Sequence, residues 1–77
     1  MGLLSKDQNN ALLKAGIKKE QISIVVHNLE ELINARKVTK AVIEIIVHNL
    51  VSNKEYPRKF FANPKEAIME ANPQPSP

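Results

Sequence analysis

Apolar residues recur along this chain at intervals of three and four, the spacing that lines one face of an α-helix. The clearest run is Ile22, Val25, Val26, Leu29, Leu32 and Ile33, followed by Val38, Ala41, Val42, Ile45, Ile46 and Leu50. Each predicts an amphipathic helix. Between them the chain either turns over Asn34 to Thr39, with Asn34 ending one helix and Thr39 capping the next, or runs on as one long helix. Ala11, Leu12, Leu13 and Ala15 predict a shorter first helix over residues 6 to 15. Its start is marked by Ser5-Lys6-Asp7-Gln8, a capping box in which the Ser5 hydroxyl accepts from a first-turn amide and Gln8 reaches back to the Ser5 amide. Its end is marked by Gly16, which takes a left-handed conformation without a Cβ clash. Asn63-Pro64-Lys65-Glu66 signals a last short helix to Ala71, with an Asn cap, Pro at the first helical position and a Glu able to reach back. The chain thus divides into one helical domain, residues 1 to 71, and a Pro-rich, poorly ordered tail, residues 72 to 77. That tail lacks Pro-x-x-Pro spacing and so does not suit an SH3-type reader.

The two long runs are copies of one another. At an offset of 21 residues, Lys19, Ile22, Ile24, Val26, His27, Asn28 and Leu29 meet Lys40, Ile43, Ile45, Val47, His48, Asn49 and Leu50. Three heptads separate the copies, so a supercoiled helix returns both to one face, whereas a straight one leaves them about 60° apart. In a hairpin the copies meet antiparallel about an approximate twofold. Ile24, Val26, Ile45 and Val47 lie off the main seam, so each copy needs cover on a second side. The first helix, the terminal segment and another protomer are the candidates. A competing pattern takes Ile22 to His27 and Ile43 to His48 as strands, because both are rich in β-branched residues and partly alternate. With no third strand candidate, a two-stranded parallel pair is marginal, and the helical reading is preferred.

Size sharpens the question of cover. A 77-residue chain buries only about 60% of its unfolded surface, and with no cysteine it has no disulfide to add. Association with another chain is the expected remedy. No apolar run is long enough to span a bilayer. The polar residues Lys6 to Asn10 interrupt any secretory signal, and Lys6 departs from the myristoylation pattern that Met1-Gly2 begins. A cytoplasmic location, or one within an assembled particle, is expected. The charge of +3, from 11 Lys and Arg against 8 Asp and Glu, is compatible with nucleic acid or an acidic protein surface and decides between neither.

Residues that could carry chemistry are few. His27 with Glu31, and Glu44 with His48, are spaced four apart on a helical face and would make a zinc set only if the pairs faced each other; no metal site is assigned. Ser5, Ser23, Ser52 and Ser76 lack a nucleophile-elbow context, and two glycines cannot build a phosphate loop. No enzyme activity, cofactor or small-molecule substrate is expected. The aromatics Tyr56, Phe60 and Phe61 cluster with Arg58 and Lys59, as rings and cations do in protein hot spots and on single-stranded nucleic acid; the leading alternative is that the rings fold back to cap the core. Arg36-Lys37-Val38-Thr39-Lys40 is a second basic area, read as a solvated loop. A helix-turn-helix role for it is opposed by Ile43 to Val47, too apolar to read bases.

The expected protein is therefore all-α, a small helical bundle or hairpin with short flanking helices, oligomeric and non-enzymatic. It acts by protein association, as a homo-oligomer or as an accessory, regulatory or virus-associated subunit. The expected contact residues are Ile22, Val25, Val26, Leu29, Ile43, Ile46, Val47 and Leu50 along the repeat and Tyr56, Arg58, Phe60 and Phe61 after it. A basic nucleic-acid-binding regulator is the alternative.

Overall fold

The Ser5 capping box forms as its sequence predicts. In a computed structural model, which describes residues 3–73, the Ser5 hydroxyl accepts from Gln8 N–H at 3.1 Å and Ser5 N–H donates to the Gln8 side-chain carbonyl at 2.9 Å. Helix α1 (Lys6–Lys14) then runs to a Schellman ending in which Ile17 N–H reaches Leu12 O at 3.0 Å and Gly16 N–H reaches Leu13 O at 3.1 Å. Gly16 stands at φ 95°, and the closure turns Ile17 into the core. Helix α2 (Lys19–Asn34) ends in the same way, with Lys37 N–H on Leu32 O at 2.9 Å and Arg36 N–H on Ile33 O at 3.0 Å. Here the left-handed residue is Arg36, at φ 60°. Asn34, the expected terminator, is instead the last helical residue, and the closure beyond it brings Val38 into the core.

Helix α3 (Ala41–Ser52) starts without a side-chain cap, its first turn tightened by Val42 N–H to Thr39 O and Ile43 N–H to Lys40 O. Thr39 does not cap because its hydroxyl is directed elsewhere. Both its backbone N–H (3.0 Å) and its hydroxyl (3.3 Å) donate to the side-chain oxygen of Asn72. Asn72, assigned from sequence to the tail, is thereby tied to the start of α3; residues 74 to 77 of that expected tail lie outside the described residues. Helix α4 (Tyr56–Ala62) was not anticipated. The Asn53 side chain accepts from Glu55 N–H at 3.0 Å, Asn53 O accepts from Tyr56 N–H at 3.2 Å, and Pro57 falls in the first turn, where its missing amide is harmless. Helix α5 (Pro64–Ala71) begins at the expected Asn63-Pro64 signal, with Asn63 accepting from Glu66 N–H at 3.4 Å.

All regular elements among the described residues are helices, so the strand alternative for the two β-branched segments falls. Nor do those segments form one long helix or a simple hairpin. Helices α1 and α5 each pack on both α2 and α3, while α2 and α3 meet one another less closely. Their cover is internal. One continuous core gathers Leu4, Leu12 and Ile17, the buried face of each repeat, and Val38, Phe60, Ala67 and Ile68. The short helices contribute fully buried side chains of their own, each stabilising by roughly 1.5–3 kcal/mol when removed from water. No helix among the described residues is long and apolar enough to cross a membrane.

Candidate functional site

The repeat residues expected to meet a partner are already occupied. Ile22, Val25, Leu29, Ile43, Ile46, Val47 and Leu50 are buried and Val26 is half-buried against the same core. The copies differ where the second side needs cover: Val47 is buried and Ile45 half-buried, while Ile24 is 43% exposed. The reason lies in their neighbours, since α3 packs against α1, α4 and α5, and α2 against α1 and α5. A second protomer is therefore not required to hide the repeat.

The aromatic cluster also turns inward. Phe60 is fully buried, with the Phe61 ring edge-on at 5.1 Å and the Tyr56 ring tilted at 6.1 Å between centroids. Tyr56 and Phe61 pack partly buried on the core, and of the four residues expected to make contacts here only Arg58 is exposed. These rings cap the core. The Tyr56 hydroxyl oxygen is buried without a hydrogen-bond partner. Burial pushes this phenol up from its ordinary value; the Asn49 amide, outside hydrogen-bonding geometry, opposes the shift, and the Glu70 carboxylate adds to it.

The helical His–Glu spacing is realised once. His27 Nε2 lies 2.8 Å from Glu31, whose other carboxylate oxygen meets Lys65 Nζ of α5 at 2.9 Å. Lys65 first, and His27 to a lesser extent, hold the Glu31 carboxyl below its usual range. The group is exposed, so it links α2 to α5 weakly. Glu44 and His48 form no corresponding contact, and among the described residues no three His, Asp or Glu side chains gather at metal-binding distance.

What remains on the surface is shallow and charged. Leu13, Ile24, Val51 and Met69, the large exposed apolar residues, sit on four different helices. One cleft, of about 430 Å³, is lined by Lys54, Glu55, Arg58 and Lys59. Another, of about 330 Å³ beside α1 and α2, includes Leu4, Ile22, Val26, His27 and Glu30. A third, of about 200 Å³, holds Asn49, Tyr56, Lys59 and Glu70. A fourth differs in kind. At the corner where α2 turns into α3, Ile33 and Val38 floor a cleft of about 410 Å³ whose other walls are Arg36, Lys37, Thr39, Lys40 and Asn72.

That corner has three cations and no carboxylate, whereas each of the other three clefts contains a Glu. Among the described residues no acidic side chain pairs with Arg36, Lys37 or Lys40. The α2 carbonyls nearby do not need them, because Leu32 O and Ile33 O are taken by the Lys37 and Arg36 amides. The positive charge is thus turned toward solvent beside an apolar floor. From sequence this segment is a solvated basic loop; what its local pattern does not carry is Ile33, which belongs to the α2 stripe yet is left half-buried at the corner. No family model, curated protein or solved structure matches the chain.

Proposed function

We propose that the protein is a non-enzymatic association module that docks a protein partner at the α2–α3 corner. The observation that carries this reading is the joining, at one concave place, of an apolar floor from Ile33 and Val38 with a rim of three cations that have no acidic partner among the described residues. Protein contact sites combine an apolar centre with a polar rim in this way. The self-covered core supports a chain that folds before it docks, as an accessory subunit does. Association between copies is the second form of the same reading, and the exposed Leu13, Ile24, Val51 and Met69 are its apolar resources. Their dispersal over four helices makes the corner the stronger surface.

The reading is tested by immobilising the protein, capturing and purifying a bound chain, and reconstituting the pair with wild type and with Lys37→Glu/Lys40→Glu. Light scattering after gel filtration gives the mass of the protein alone and of the pair. A reconstituted complex lost on charge reversal is the expected result. A clean monomer that captures no chain, or one whose complexes ignore the corner, ends the proposal.

A further inference from the structure

The structure assigns to the α2–α3 corner an occupant of definite chemistry: an acidic, amphipathic peptide segment of a partner protein, its carboxylates on Arg36, Lys37 and Lys40 and one apolar side chain on Ile33 and Val38. This rests on the docking reading above and specifies its partner. Three observations converge on it. The first is charge, since seven residues line the cleft, three are cations and none is acidic. Carboxylates on one segment would supply the complement that the described residues do not.

The second is the floor. Val38 is buried and Ile33 half-buried at the base of a cleft of about 410 Å³, within the size range of ligand-sized clefts. A phosphate backbone would satisfy the cations and leave the half-exposed Ile33 side chain uncovered. An acidic segment carrying a Leu or Phe satisfies both. The bases of a single strand would need stacking partners, and the protein's three rings are committed to its core.

The third is Arg36 itself. The two Schellman endings share the same hydrogen bonds, yet one uses Gly16 and the other an arginine at φ 60°. A left-handed residue with a Cβ costs stability that glycine avoids. Residues held in costly backbone conformations cluster at ligand-binding sites. With the backbone amide already serving the helix ending, the guanidinium is the part of Arg36 left to act, and it offers a planar fork suited to carboxylate.

The experiment is fluorescence anisotropy with a labelled synthetic peptide of Glu and Asp carrying a Leu at every third position. A peptide with Lys in place of the acids and an acidic peptide lacking Leu serve as controls, and a single-stranded oligonucleotide as competitor. Wild type is expected to prefer the acidic Leu-bearing peptide to both controls. Lys37→Glu/Lys40→Glu should weaken that binding about tenfold or more. Arg36→Gly should raise the melting temperature while weakening the peptide, and Arg36→Lys should keep more of the affinity. That opposition separates a binding role from a structural one. No binding by the acidic Leu-bearing peptide, or binding indifferent to Arg36→Gly and to charge reversal, overturns the assignment. So does an oligonucleotide that displaces the peptide and binds more tightly, or a dimer of the protein alone that dissociates on charge reversal. If the peptide fails while a captured partner still needs the corner, this inference falls and the docking reading stands; if both fail, both fall.

Discussion

Replacing Gly16 with Ala and Arg36 with Gly should move stability in opposite directions, because the two residues hold the same place in two equivalent helix endings. At Gly16 an added Cβ meets nothing within 4 Å, so its cost is backbone strain alone. An L-residue in left-handed conformation costs about 1–2 kcal/mol, of which about 0.5–1 is recovered by stiffening the unfolded chain. Gly16 at φ +95° lies well beyond the basin near +57°, which puts the net loss for Gly16→Ala at about 1 kcal/mol. Arg36 at φ 60° sits at the centre of that basin, and Arg36→Gly should gain about 0.5–1 kcal/mol. Arg36→Ala removes the charge but keeps the Cβ, so the difference between Gly and Ala at this position gives the strain net of unfolded-chain entropy. Urea unfolding reads these values directly: with m near 1 kcal/mol/M, the midpoints should move by about 1 M down and roughly 0.5–1 M up. A Gly16→Ala variant as stable as wild type, or an Arg36→Gly variant less stable than Arg36→Ala, would refute the account of both turns.

Tyr56→Phe should stabilise the protein by about 1 kcal/mol by removing a buried hydroxyl that lacks a partner, and a loss of that size in calorimetry would mean that the hydroxyl is bonded after all. Because the folded phenol is raised above its ordinary value, its contribution is complete below about pH 10 and is lost as pH rises through the folded value. The alkaline decline in melting temperature should accordingly shrink in Tyr56→Phe. Phe60→Ala removes a fully buried ring at a cost of about 3–5 kcal/mol, enough to unfold much of so small a domain, whereas Phe61→Ala should leave a cooperative transition in circular dichroism. The depressed Glu31 carboxyl favours the folded state above the usual carboxylate range, and the effect fades as pH falls through its folded value. Lys65→Met should bring the Glu31 titration, followed by NMR, back toward its ordinary position; an unchanged titration would show that Lys65 is not its main partner.

Local signals were legible wherever a residue acts on its immediate neighbours. Ser5 and Gln8, Gly16, and Asn63 with Pro64 announced their helix ends, since caps and left-handed turns are settled by groups three to five residues apart. The three- and four-residue spacing announced the buried faces of α2 and α3 for the same reason. Helix α4 escaped notice because Pro57 reads as a breaker until Asn53 is seen starting a new turn just ahead of it. The α2 ending escaped because Arg36 carries no propensity for the conformation it adopts.

Sequence alone determined that this chain is helical and that its repeated segments carry more apolar surface than one seam can use. Only the tertiary structure decided what covers that surface. The answer, α1, α4 and α5 from the same chain, turns on contacts between residues far apart in sequence, such as Thr39 with Asn72 and Glu31 with Lys65. No periodicity records such contacts, because periodicity reports which face a helix must bury and not what buries it. The same limit applied to the basic loop, whose charges line a cleft because the closure of helix α2 turns through Arg36 and leaves Ile33 beside Val38.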